Sequence, residues 1–399
     1  MAEIARRARL AIIASHPIQY QAPLFRELAS RFDLSVFFAH RAREVDQAEA
    51  GFGVGFNWDT DLLSGYDHVF MENVASEPGL HRFLGCDTPE IFSRLSESPF
   101  DAVLVNGWHL KSYLQAAYAA RRLGLPLLVR GDSHLGTPRS RLKIITKSIV
   151  YPSFLRAFNA ALYVGKRSHE YWRHYRYPES RLFFSPHCVD NEWFAARATE
   201  SAREEMRARL GIPASATVAL FAGKLVPFKR PLDLIAAAKS LTMAGHDIRV
   251  LVAGAGPLAA ELADAARESK VSTHVLGFVN QTRMPQVYAA SDVLVLPSDG
   301  RETWGLVANE ALACSRPILL ADTVGAAPDL AADAVAGKVF PVGDISALSA
   351  ALLSIVGSPP SPRVIAAKSK VYSLEAAADG IEAALSRLLR CPKDEFAPS

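Results

Sequence analysis

Residues 292–313 read DVLVLPSDGRETWGLVANEALA. The opening DVLVLPS is a short, continuous apolar run, the pattern of a strand buried on both faces of a parallel sheet. It ends on an acid, turns through Gly300 and Gly305, and enters an apolar helical stretch that carries Glu310. Glu302 and Glu310 therefore lie eight positions apart around a Trp-Gly pair. A buried strand leading through a glycine turn into a helix is half of a βαβ unit, and the rest of the chain repeats that alternation.

In the second half the strand candidates are VALFAG (218–223), IRVLVAG (248–254), HVLGFV (274–279), DVLVLPS (292–298) and PILLAD (317–322). In the first half they are LAIIAS (10–15), LSVFFAH (34–40), AVLVNG (102–107), PLLVRG (126–131) and AALYVG (160–165). Stretches such as QAPLFRELASRF and LKSYLQAAYAARRLG lie between them, apolar at helical spacing. The Gly- and Asp-rich segment from Val45 to Leu84 shows no clear pattern and is expected to be a long loop. With 399 residues the chain exceeds one ordinary core, so two doubly wound α/β domains are predicted, switching near residues 190–215.

Composition narrows the classes. Half the residues are hydrophobic and a fifth charged, as in soluble globular proteins. No apolar run approaches the ~18 residues of a membrane span, and LAIIA is too short for a signal-peptide core. The net charge of +3 is too mild to argue for nucleic acid. Cys86, Cys188, Cys314 and Cys391 show no metal-ligand spacing and read as free thiols of a cytoplasmic protein. From Pro138 to Arg167 the chain carries seven cations and no acid, with Leu142, Ile145, Ile149, Phe154 and Phe158 interleaved. A surface of this kind can touch anionic lipid headgroups, so peripheral membrane contact through 139–167 is one expectation and a solvated helix face is the other.

Ligands of open parallel sheets bind beyond the carboxyl ends of the strands. Three such ends in the second half carry phosphate-friendly residues. One loop holds Gly223, Lys224 and Lys229; another holds Gly254 and Gly256, whose missing side chains would let a ligand approach the backbone. The third is the opening stretch, where amides at Trp304, Gly305, Leu306 and Val307 begin a helix and can hold an anion. Glu310, two helical turns on, cannot serve phosphate but can accept hydrogen bonds from the vicinal hydroxyls of a ribose. Glu302, on the loop before the helix, suits the hydroxyls of a second sugar. Acid, amides and acid form a layout for a sugar nucleotide.

At these residues the chain resembles glycosyltransferase family 4. SDGRETWGLVANEALACSRPIL matches its E-x7-E pattern with Trp304 where Phe is usual, and FAGKLVPFKRPLDLIAA resembles its phosphate loop. VLVAGAGPL, VLGFVNQTRMPQVYAASDVLVLPS and GKVFPVGD follow in family order, so the likeness covers most of residues 215–350. It implies the GT-B fold: Rossmann-like domains at 1–194 (acceptor side) and 195–370 (nucleotide-sugar side) facing across a cleft, with a helix in 371–399 crossing back to the first. The implied activity is retaining transfer from a nucleoside diphosphate sugar, of UDP or GDP type, to a hydroxyl of a glycan, lipid-linked or small-molecule acceptor. Cell-surface polysaccharide, glycolipid or glycoconjugate assembly would be the setting, in the cytoplasm or on the inner face of the cell membrane.

Lys224, Lys229, Glu302 and His134, in VRGDSHLG, take the catalytic roles, and no metal or other cofactor is called for because the lysines can hold the departing diphosphate. Backbone near Phe278 and Val279 would read the base. SPHCVDNEWF (185–194) resembles the family's hinge with His187-Cys188 in place of Asn-Gly. The loop SHPIQYQAPLFREL lacks the family's glycines, leaving His16 and Gln19 as its candidates. Asp59-Thr60-Asp61 spells a metal motif of a different transferase fold and reads as coincidence. Two other functions fit the same pocket, a sugar-nucleotide epimerase and a catalytically silent nucleotide-sugar-binding protein.

Overall fold

The computed structural model describes residues 6–44, 51 and 53–390; Cys391 lies outside them. Two parallel sheets organise the chain. The first has seven strands: β1 (Arg9–Ala14), β2 (Asp33–Phe38), β3 (Asp67–Phe70), β4 (Ala102–Val105), β5 (Leu127–Gly131), β6 (Ala160–Tyr163) and β7 (Leu182–Phe184), in the order β3-β2-β1-β4-β5-β6-β7. The second has six: β8 (Thr217–Ala222), β9 (Ile248–Ala253), β10 (Thr273–Val275), β11 (Val293–Leu296), β12 (Ile318–Ala321) and β13 (Gly337–Phe340), in the order β10-β9-β8-β11-β12-β13. Both are doubly wound, with the switch beside the first strand of each domain, and the cleft opens at those strand ends.

Every expected strand forms, although HVLGFV does so only at its first two residues, within β10. Three more escape the sequence pattern because they are short and sit at or near a sheet edge, where burial is incomplete. β7 is only half-buried, and β3 falls inside the segment expected to be a long loop. β13 lies in GKVFPVGD, which carries a lysine and two glycines.

Side chains of β1 alternate between two cores, Ala11 and Ile13 on one face and Leu10, Ile12 and Ala14 on the other, as period-2 geometry requires. Helix Leu374–Arg390 covers the second of these faces. It buries Ala377, Ala378, Ile381, Ala384 and Leu385 there, so the chain's last described helix does return to the first domain. The approach is close: a Cβ on Gly380 would sit 1.8 Å from the Phe184 carbonyl oxygen. Arg31 secures the helix through Asp379 at 2.6 Å and Glu382 at 3.0 Å.

Candidate active site

The loops after β8, β9 and β11 fold onto one another. The Gly223 N–H donates to the Ala253 carbonyl and the Leu225 N–H to that of Ala255, both at 2.9 Å. A Cβ on Gly254 would lie 1.9 Å from the Gly223 carbonyl oxygen, and one on Gly256 2.7 Å from that of Leu225. These two glycines therefore make room for the neighbouring loop. Gly305 meets both demands, with φ of +98° and Leu296 2.6 Å from where a Cβ would stand.

The stacked loops bring Lys224, Lys229 and Glu302 together. The Lys229 ammonium pairs with the Glu302 carboxylate, which also accepts from the Ser298 hydroxyl at 3.1 Å. Both charged side chains are nearly buried. Burial lowers the Lys224 pKa, the charge of Lys229 lowers it further, and Glu302 opposes both. Two cations held this close, with one anion between them, are arranged for a ligand carrying more than one negative charge. Helix Val307–Ala313 has only seven residues, so the dipole it offers at its N-terminus is small.

Glu310 lies on this helix and is 2% exposed. It accepts hydrogen bonds from the Tyr288 hydroxyl at 2.5 Å and the Gln281 amide at 3.4 Å, and from the Tyr20 hydroxyl. Burial pushes its pKa up to about 7, although all three donors favour the ionised form. Tyr20 comes from the glycine-poor loop of the first domain, so the acid expected to meet ribose hydroxyls is sealed by a first-domain phenol. His16 Nδ1 lies 3.0 Å from the Ser15 hydroxyl. Gln19 lines a cavity of about 410 Å³ beside the seal, with Tyr20, Asp59, Trp193, Gln281 and Thr282.

A second first-domain segment crosses the cleft. Phe56 stacks on Phe278 at 3.9 Å between ring centroids, and the Asn280 side-chain amide donates to the Asn57 carbonyl at 2.8 Å. Val279 is half-buried against the core of the second domain. Asp59 accepts from the Thr282 N–H at 3.1 Å, while Asp61 accepts from Leu63 and Ser64 of its own loop. Both carboxylates of the DxD triplet are thus engaged by protein donors.

His134 is buried, with Nδ1 accepting from the Gly136 N–H at 3.1 Å and Nε2 3.4 Å from the Thr137 hydroxyl. Burial, reinforced by Arg167, keeps its pKa below the usual histidine range. Its ring serves its own loop. Asp132, two residues earlier, reaches the other domain instead: it accepts from the Thr303 hydroxyl at 2.7 Å and stands 3.6 Å from His187 Nε2. Its side chain is 41% exposed, yet protein crowds the carboxylate. Crowding alone would raise its pKa, but His187 and the Thr303 hydroxyl outweigh that and hold it well below the usual carboxylate range.

His187 is fixed from both sides. Arg130 binds the Pro186 carbonyl at 2.6 Å, and Asn309 donates to the His187 carbonyl at 3.1 Å. The Trp304 side chain packs between the domains. Its indole donates to Asn309 at 2.8 Å, lies against His187 and Tyr372, and fits only because Gly165 lacks a Cβ that would stand 2.4 Å away. Asp132, Thr303, His187, Tyr20, Gln281 and Tyr288 were missed by sequence reasoning. The signal within reach was Asp132, a lone acid directly following a strand end.

Residues 202–371 match the family model of glycosyl transferases group 1. A D-inositol 3-phosphate glycosyltransferase of Mycolicibacterium smegmatis is 32% identical over 201 residues, 48% of this chain and 45% of the relative; the chain thus spans under half the length of that relative. Among solved structures, a glycosyltransferase from Rickettsia africae superposes with a TM-score of 0.73 at 13% identity, over 97% of this chain and all of its own. Anabaena HepE in complex with UDP-glucose gives 0.70 at 15% identity, over 95% of this chain and all of its own. The second domain therefore matches glycosyl transferases group 1, within a GT-B fold that extends over the whole chain.

Proposed function

We propose that the protein is a retaining glycosyltransferase that moves a sugar from a nucleoside diphosphate sugar to an acceptor hydroxyl. The observation that carries this reading is the cluster of Lys224, Lys229 and Glu302 on stacked strand-end loops, with Asp132 of the first domain bound to the adjoining Thr303. A diphosphate entering there takes Lys229 from Glu302 and receives both ammonium groups, which stabilise the charge that grows on the departing oxygen. Glu302, released, accepts hydrogen bonds from the hydroxyls of the transferred sugar. Asp132, ionised and solvent-accessible, takes the place expected for His134 beside that sugar, where a fixed negative charge favours a cationic transition state. The leaving phosphate assists attack on the same face, which retains configuration.

Glu310 meets the ribose hydroxyls once Tyr20 has withdrawn. HepE, whose structures hold UDP and UDP-glucose, supports a uridine donor by its fold. Cell-surface glycan or glycolipid assembly remains the setting we favour. The test is thermal unfolding of wild type and Glu310→Ala against UDP-, GDP- and dTDP-sugars, followed by assay of diphosphate release. A ligand at ~100 times its Kd raises stability by about 2.7 kcal/mol, a shift of a few degrees. Stabilisation by one base class, lost in Glu310→Ala, supports the donor site; release that rises with added acceptor separates transfer from epimerisation and from silent binding. No shift with any of the three sinks the reading.

A further inference from the structure

Helix Arg141–Leu155 is built inside out. Only Leu155 is buried. Tyr151 and Phe154 turn inward onto Trp108, whereas Leu142, Ile145, Ile149 and Val150 are 74%, 57%, 73% and 50% exposed. Positions 142, 145, 149 and 150 share one stripe of a helix, and here the stripe points into solvent. Soluble monomers rarely present such a row.

The charges around it have one sign. Arg141, Lys143 and Arg156 form no ion pair among the described residues, and no acid occurs between Pro138 and Arg167. The other cations of the basic stretch are engaged elsewhere. Arg139 binds the His134 carbonyl, Lys147 lies over Tyr151, Lys166 binds the Pro328 carbonyl and Arg167 the Thr323 carbonyl. The basic stretch read from the sequence thus narrows to 141–156.

We propose that this helix docks the protein on an anionic lipid bilayer, its aliphatic stripe entering the headgroup–acyl boundary while Arg141, Lys143 and Arg156 meet lipid phosphates. A second copy of the chain fits less well, because a twofold pairing of this face sets its cations against each other with no acid to receive them. An anionic membrane complements both features at once. The helix begins nine residues after Asp132, so docking sets the acceptor-side rim of the cleft beside the headgroups.

The experiment uses the full chain with vesicles of phosphatidylcholine containing about 30% phosphatidylglycerol, and of phosphatidylcholine alone. We expect co-sedimentation with the anionic vesicles that weakens with salt, and little with the neutral ones. Leu142→Ser/Ile149→Ser and Arg141→Glu/Lys143→Glu should each reduce partitioning by more than about tenfold. Because these side chains are exposed, both variants should keep the wild-type Tm. Ile145→Trp should give blue-shifted emission on adding anionic vesicles. Wild type that ignores both vesicle types, or variants that bind as wild type does, overturns the proposal. So does a dimer in solution that Leu142→Ser/Ile149→Ser dissociates without any vesicle binding.

Discussion

The two domains share one strand order and use it in opposite ways. In the second, the loops after β8, β9 and β11 bond to each other and gather Lys224, Lys229 and Glu302 within one sheet's edge. In the first, strand-end loops leave home: Tyr20 follows β1 to Glu310, and Phe56 and Asp59 follow β2 to Phe278 and Thr282. Asp132 follows β5 to Thr303. The second domain holds charge by local folding, whereas the first shapes the cleft by contacts made with another domain. Function built the first way leaves a compact pattern in sequence, and function built the second way does not.

The sharpest challenge to this contrast is Lys229→Ala. Removing one preorganised cation from a nearly buried cluster should lower kcat by about 10²–10³-fold and leave Glu302 without its ion pair. Initial rates of nucleoside diphosphate release measure it. A variant within a few-fold of wild type would mean that the second domain's cluster holds the fold rather than the chemistry.

Next in size is a pH effect on the seal between the domains. Glu310 rises from the ordinary glutamate value of 4.5 to about 7 on burial. A carboxyl raised in the folded state adds stability below its unfolded pKa and loses it as pH climbs through the folded value. Wild type should therefore lose roughly 3 kcal/mol between pH 4.5 and 7 from this residue. Glu310→Gln should flatten that slope, as urea unfolding across the range would show. An unchanged slope would mean that the carboxylate is not sealed by Tyr20 and Tyr288.

Asp132→Asn and His134→Gln set the geometry against the sequence reading. We expect kcat to fall about 10–100-fold for Asp132→Asn, which removes a fixed charge facing the cleft. For His134→Gln we expect less than about threefold, because an amide oxygen can accept from the Gly136 N–H as the ring does. The opposite ranking would restore His134 to the role that its motif implied.

This pair also shows how far the sequence could be read. The central strands of both sheets were legible, because buried parallel strands are continuous apolar runs bounded by glycine. The Lys224–Lys229–Glu302 cluster was legible because its members stand at fixed offsets from strand ends. The loop contacts of Gly254 and Gly256 were not legible, since a glycine that admits a neighbouring loop looks the same as one that admits a ligand. Asp132 and His134 are two residues apart, and which of them turns outward depends on Gly136, Thr137 and Thr303, partners that no pattern announces. Tyr20 and Glu310 are joined across nearly 300 positions, and neither helix nor strand periodicity reports such a pairing.

The smallest effect we expect tests whether the crossing segment is a cover or a wall. Phe56 and Phe278 stack at 3.9 Å between centroids, leaving no space for a base between the rings. An aromatic pair contributes about 0.5–1.5 kcal/mol beyond its buried area, and a base using that face of Phe278 must first displace Phe56. Phe56→Ala removes the competitor, so UDP should bind about three- to tenfold more tightly, with little change in Tm because Phe56 is only half-buried. Calorimetric titration of wild type and variant with UDP decides the matter. Weaker binding in Phe56→Ala would make the segment a wall that stays in place and touches the nucleotide. The first domain would then help to recognise the donor, and the division of labour between the two sheets would be less complete than the loops alone suggest.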